Sequence, residues 1–456
     1  MTNAVVIGGS IGGLLMGAVL AEVCDQVLLV ERGELPDTPL PRAGVPQGPH
    51  AHGLLAGGLA ALEQLLPGLC AELEHSGCPT GDNLRDAAWS FSGRRLALGD
   101  SGVRGMTVAR PVLEHAIRRR VARLPNLQIR AGIRVKGLLY EAGRVTGVRI
   151  APAANGEGKL SADLVVDASG RYSELPEWLS VLGLGTPRIE EVALPTHYAS
   201  RIYARRPQHL NGGIALVMVA DPAVPRGGIA LALDQERWMI SQYALGGERP
   251  PQDPAGFVRF ARTLASPALA EILEDSKPLS EARTLRFPSS IRRHYQRMRH
   301  FPKGLVVCAD ALASFNPTFA QGITVAARQA VLLRNLCARV PLAELGKVFL
   351  RHAAPMVDVA WSASVGRTFL YPGVVGRPTL RMRIANAYLP HVVARAHEDP
   401  KVATAFLEVL HLLAPPARLF APGTMLRVLG GRAPQKGAPP VLGARDIGAA
   451  IRWIQR

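Results

Sequence analysis

The chain of 456 residues carries 53 Lys and Arg against 36 Asp and Glu, a formal charge of +17, and 48% of it is apolar. At roughly 150 residues per domain, that length gives two or three units with cores of their own. A small disulfide scaffold and wholesale disorder are excluded.

The charge is uneven: from residue 346 onward 15 basic residues stand against 5 acidic ones, or +10. Only 7 of the 53 basic residues are lysine, so a solvated basic face is expected and nucleic acid is not. Cys24, Cys70, Cys78, Cys308 and Cys337 are odd in number and form no CxxC pair. Neither a disulfide framework nor a thiolate metal site is encoded, and a cytoplasmic protein is expected. Residues 1–21 are uncharged, but five glycines within ten positions suit a turn better than a membrane helix, so no transmembrane segment is predicted.

Ala4 to Ile7 predicts a buried strand, Gly8-Gly9-Ser10-Ile11-Gly12-Gly13 a tight turn, and the residues through Ala21 a helix. A second buried strand, Val27 to Val30, ends at Glu31. This strand, turn and helix form a dinucleotide cradle: one glycine makes the turn, a small residue lets backbone approach the pyrophosphate, and another glycine lets helix meet strand. The anion rests on the helix N-terminus, and Glu31 accepts from the adenosine ribose. Ser10 stands where a second glycine is usual.

Farther along come the string Pro41-Arg42-Ala43-Gly44-Val45-Pro46-Gln47-Gly48-Pro49-His50-Ala51-His52-Gly53 and a strand from Met106 ending at Arg110. Pro111 then opens a helix with an apolar stripe at Leu113, Ile117, Val121 and Leu124. A strand is predicted over residues 133–140 and another at Leu164-Val165-Val166-Asp167, followed by Ala168-Ser169-Gly170-Arg171. From Leu194 to Leu285 a mainly antiparallel sheet is expected, with strands Ile229 to Leu233 and Trp238 to Ala244, then a helix capped by Asp253 before Pro254. Trp238, Met239, Tyr243 and Phe257 are candidates for a pocket wall, with core packing the better expectation for each. The strand from Gly304 runs into Ala309-Asp310, and Pro317 leads through Gly322 into a helix ending near Arg339. Residues 346–456 read as a helical region whose apolar cluster, Phe406 to Leu413, packs a core or faces lipid.

The N-terminal turn, Glu31 and the later aspartate strand, in this order, resemble the FAD-dependent monooxygenases of the aromatic-hydroxylase type. The Arg42 to His52 string and the form of the Asp167 segment are similar to bacterial flavin epoxidases acting on polyether polyenes and prenyl chains. The resemblance implies an α/β fold: a Rossmann-like FAD-binding domain, an inserted mainly antiparallel substrate domain and a helical C-terminal region. The implied division is FAD-binding at 1–80, 106–193 and 286–345, a substrate-side segment at 81–105, a substrate domain at 194–285 and the helical region at 346–456. The implied cofactor-binding positions are Gly8, Ser10, Ile11, Gly12, Gly13, Glu31, Arg32, Arg42, His52, Arg110, Val135, Asp310, Pro317, Gly322 and Ile323. Among them Asp310 meets the ribityl chain, Val135 the adenine, and the helix after Pro317 the isoalloxazine edge. Ala309 and Ala320 replace glycines of the family pattern. For Asp167 and Arg171, tying strand to loop and touching a nicotinamide cofactor are both open.

The implied activity is monooxygenation, with epoxidation of an olefin in a prenyl or polyketide intermediate through a C4a-hydroperoxyflavin. FAD, molecular oxygen, and NADPH or NADH as direct or indirect donor are its cofactors. An apolar small-molecule substrate, a separate flavin reductase, and a monomeric or simple homodimeric state complete the expectation, with secondary metabolism and antibiotic biosynthesis as its setting. No catalytic side chain is assigned. Aromatic hydroxylation, prenyl reduction and a non-catalytic FAD-binding role are the alternatives; halogenation is disfavoured because the first lysine is Lys136 and no paired-tryptophan motif occurs.

Overall fold

The computed structural model describes residues 1–153 and 156–430. The expectation of a helical region therefore lies outside the described residues from 431 onward.

Five short apolar strands form a parallel sheet in the order Leu305–Val307, Leu164–Asp167, Asn3–Ile7, Gln26–Val30, Leu127–Arg130. Strands covered on both faces must be apolar throughout, and Val5, Val6, Leu29, Val165, Val166 and Val306 are all buried. The helices Ile11–Leu20, Arg110–Val121 and Gly322–Cys337 cover it. Chain order reverses beside Asn3–Ile7, and a crevice outside the carboxyl ends of the strands at such a switch point is where open α/β sheets bind ligands.

The second layer is an eight-stranded sheet built on Ile189–Ala204, Ala215–Val219, Arg226–Ala232, Arg237–Leu245 and Arg283–Arg293. These strands pair antiparallel, and Ala87–Phe91 from the early substrate-side segment joins them parallel to Ala215–Val219. Ile189–Ala204 runs without a break through residue 194, and Arg283–Arg293 through residue 286. Strand period places alternate residues on opposite faces. Trp238 and Phe257 are wholly buried against the helices Pro254–Ala261 and Ala268–Glu274, on the far side from the crevice. Of the four pocket candidates, only Tyr243 lines the cavity. Asp253 caps its helix by accepting from Gly256 N at 2.7 Å.

The C-terminal helices Leu345–Thr368, Leu380–Ala396 and Pro400–Leu410 close the open side of this sheet. Phe406, Val409, Leu410 and Leu412 face the enclosed cavity while Leu407 is buried in a core with Val392 and Val402. The lipid-facing alternative for this cluster is corrected accordingly, with Leu413 alone of the group exposed. No helix among the described residues is long and apolar enough to cross a membrane.

Candidate functional site

A cavity of about 620 Å³ runs from the Gly8 to Gly12 turn, past residues 309–323, to the C-terminal helices. This size lies within the range of small-molecule sites.

At one end is the dinucleotide cradle. Gly8 has φ 109°, and a Cβ there would come 2.5 Å from Ala168 O; a Cβ on Gly13 would lie 1.8 Å from Gly8 O. Neither position admits a side chain. Gly13 accordingly packs helix on strand, whereas Gly8, Ser10, Ile11 and Gly12 line the cavity. Glu31 is buried and accepts from Gly9 N at 2.8 Å and Gly33 N at 3.0 Å, which fixes its carboxylate at the cavity edge. Arg32 is exposed at the rim, and Val135 lies on the wall.

Ser10 does not cap its own helix. Its hydroxyl donates to Glu114 Oε2 at 2.8 Å and accepts from an Arg110 guanidinium nitrogen at 3.0 Å. Glu114 Oε1 accepts from Arg42 Nε at 2.8 Å, and another Arg42 nitrogen lies 3.4 Å from Glu31. Two buried carboxylates thus hold two arginines against the turn. Sequence reasoning found Ser10, Glu31, Arg42 and Arg110 but missed Glu114, whose only signal was its place one helical turn after Arg110.

The second half is the segment after Leu305–Val307. The expected continuous strand breaks at Cys308: Ala309 takes φ 51°, and Ala309–Leu312 forms a single helical turn. This bend turns Asp310 into the cavity, where its carboxylate has no hydrogen-bond partner among the described residues. Burial raises the Asp310 carboxyl above the usual range, against the opposing pull of Arg110, Arg171 and Arg293. Ala320 also takes a positive φ, 52°, so both alanines replacing the pattern's glycines adopt the left-handed conformation. Pro317, Gly322 and Ile323 line the cavity at the start of the Gly322–Cys337 helix, whose first amide groups have no intrahelical acceptors. Asn316 anchors this turn, accepting from Thr318 N at 3.1 Å and donating to Thr196 at 3.0 Å.

Asp167 is wholly buried and accepts from the Ser169 and Ser173 hydroxyls and from Ser169 N. This ties strand to loop. Arg171 donates to Ser289 and stacks 4.9 Å over the Phe287 ring, joining the two sheets at the cavity wall.

His52 Nδ1 lies 2.9 Å from His50 O, and burial with the Arg110 charge pulls its imidazole down to about 3. His50 Nδ1 pairs with Ser200 at 2.7 Å, Ser200 with Ser241 at 2.5 Å, and burial lowers this imidazole to about 4. Both rings are neutral at physiological pH.

The geometry fits FAD: a glycine-dependent turn, two helix N-termini and a half-buried carboxylate without a hydrogen-bond partner among the described residues converge on one elongated cavity. The family model described as "FAD binding domain" matches residues 1–341. Protein Rv3254 of Mycobacterium tuberculosis is 31% identical over 434 residues, covering 90% of each chain. The flavin-dependent brominase Bmp2 superposes with a TM-score of 0.65 at 13% identity, over 90% of this chain and 94% of its own. A tetrameric 2-methyl-3-hydroxypyridine-5-carboxylic acid oxygenase gives 0.59 at 18%, over 82% and 93%. At these identities the two structures share the fold alone.

Proposed function

Because this chain belongs to the FAD binding domain family, we propose that it is a flavin-dependent monooxygenase acting on an organic substrate held between the sheet and the C-terminal helices. Gly8, Ser10, Ile11 and Gly12 would hold the pyrophosphate, Glu31 the ribose, Asp310 the ribityl hydroxyls, and the 317–323 turn the ring. The bound cofactor supplies the activation of molecular oxygen, and NADPH or NADH, directly or through a reductase, supplies the electrons. The chain itself must orient the substrate and keep water out. The apolar wall of Val217, Ile229, Leu231, Phe406 and Leu410 serves both ends.

For the type of oxygenation we favour an olefin, and the carrying observation is the basicity of the imidazoles. Hydroxylation of a phenol is assisted by a base that ionises it, and a phenol titrates near 10. His50 and His411, both on the cavity wall, are pulled down to about 4. Rings so weakly basic are poor bases for that step, whereas epoxidation needs no base. No lysine lines the cavity among the described residues, which weighs against halogenation. Prenyl and polyketide chains fit the apolar wall, with aromatic hydroxylation as the rival.

The test is turnover of an alkene lacking any phenol under labelled oxygen, with FAD-loaded protein and a reductase. One labelled atom in an epoxide product supports the reading. A saturated product formed without oxygen, or strict dependence on a phenol, overturns it.

A further inference from the structure

Of the arginines on the cavity wall, Arg42 and Arg110 are engaged with Glu114 and Ser10, Arg134 with Glu174, and Arg171 with Ser289. Arg32 and Arg286 are exposed. Arg367 differs from all of them. It stands near the end of the Leu345–Thr368 helix, is half-buried and lines the cavity, and its guanidinium makes no hydrogen bond or ion pair among the described residues.

Its surroundings are apolar. Leu194, Tyr198, Tyr243, Leu245 and Phe287 form a cluster of the facing sheet, and Tyr371 packs against them. Burial pulls the Arg367 guanidinium below the usual arginine range and pushes the Tyr371 phenol above its own, and the two groups perturb each other. Asp221 is the acid that acts on both, but it forms no ion pair with Arg367 among the described residues, and its Oδ1 is held in its own turn by Ala223 N at 2.9 Å and Val224 N at 3.0 Å. A guanidinium presents five donors in a fork matched to carboxylate geometry. Leaving it enclosed without an acceptor is costly unless an anion arrives. Tyr371, held protonated, is a further donor beside it.

We propose that Arg367, with Tyr371, forms a receptor for a carboxylate of the substrate, so that the molecule oxidised is an apolar acid rather than a hydrocarbon. Tyr198, in the apolar cluster beside this receptor, donates to Asn316 at 3.3 Å, which joins the cluster to the cofactor-facing turn. An acid anchored at Arg367 therefore extends its apolar portion along the wall beside that turn.

The inference rests on the cavity being the substrate site of the proposed oxygenase, but its test reads binding alone. Oxidised, FAD-loaded full-length protein is titrated with geranate and with its uncharged amide, without reductant, following the flavin absorbance. Geranate is expected to bind about tenfold more tightly than the amide. Arg367→Gln should abolish that preference without lowering the melting temperature or FAD content, and Arg367→Lys should restore part of it. Equal affinity of acid and amide for the parent protein overturns the proposal. So does a preference that survives in Arg367→Gln, or a variant that loses stability and FAD, which would make the arginine structural. Absence of oxygen transfer in the separate turnover experiment, with the acid preference preserved here, would count against the oxygenase reading and leave the carboxylate receptor standing.

Discussion

Ala309 stands at φ 51° with its methyl turned on Gly12, so closely that a Cβ built on Gly12 would lie 2.9 Å from it. The two halves of the cofactor cradle, some three hundred residues apart, are in contact through this pair. The conformation is held by Gln329, whose Oε1 accepts from Ala309 N at 2.7 Å. A left-handed alanine costs about 1–2 kcal/mol, and glycine returns about 0.4–1 of that through the unfolded chain. Ala309→Gly is therefore expected to stabilise the protein by about 0.5–1 kcal/mol and to retain FAD. A loss of stability on denaturant unfolding would show that the methyl contact outweighs the strain. Gly12→Ala should do the opposite, forcing two methyl groups together beside the pyrophosphate turn.

Glu114 governs the other side of that turn. It is buried, and both oxygens are committed, one to Ser10 and one to Arg42. Glu114→Ala leaves two enclosed arginines short of a counter-charge, and breaking a buried pair costs about 3–5 kcal/mol. Thermal unfolding of the FAD-free variant should reveal that loss. A variant as stable as the parent would mean that solvent or Glu31 replaces the carboxylate.

These examples mark where the sequence is legible. Gly8, Glu31 and the Gly322 helix are recognisable because each is local: a strand, a turn and a helix lie next to one another in the chain. Period-two alternation likewise separates Trp238 from Tyr243, although it does not say which face holds the cavity. Glu114, Arg367 and His411 are invisible for the opposite reason. Glu114 meets Ser10 from 104 residues away and His411 meets Ala56 from 355, while Arg367 gains its meaning only from the cavity that distant segments enclose. The C-terminal apolar cluster carries a clear helical pattern, but a helix stripe that packs a core and one that walls a cavity look alike until Phe406 and Leu407 are seen to face different ways.

Asp310 trades stability against binding. Its carboxyl is raised in the folded chain, so it favours folding fully only below its unfolded value near 4, and that contribution disappears as pH rises through the folded value. Asp310→Asn should make the FAD-free protein more stable at neutral pH and flatten its pH dependence above 4. Asp310→Ala should weaken FAD by about 5- to 150-fold, the equivalent of about 1–3 kcal/mol for donors left unpaired. Fluorescence titration measures the affinity; an unchanged value in a folded variant removes Asp310 from the cofactor site.

His411 supplies the fourth test, because it caps a helix from a remote part of the chain. Leu55 precedes the Ala56–Leu65 helix without a side-chain cap, and His411 takes over: Nδ1 accepts from Ala56 N at 3.1 Å and the carbonyl accepts from Gly57 N at 3.0 Å. Nδ1 as acceptor requires the neutral ring with its proton on Nε2. Burial lowers the imidazole from 6.5 to about 4, so the unfolded chain takes up a proton there before the folded one does. The stability this group contributes is present above 6.5 and falls as the pH drops towards 4, by about 3 kcal/mol in all. His50 and His52 are lowered too and add losses of the same sign, so the parent protein should be markedly acid-sensitive over this interval. His411→Asn keeps an acceptor for Ala56 N and removes the titration. Denaturant unfolding at pH 7.5 and 4.5 should show the variant losing about 2–3 kcal/mol less than the parent between the two. Equal acid losses would mean that the ring is already protonated in the fold, and that the cap is not the acceptor described.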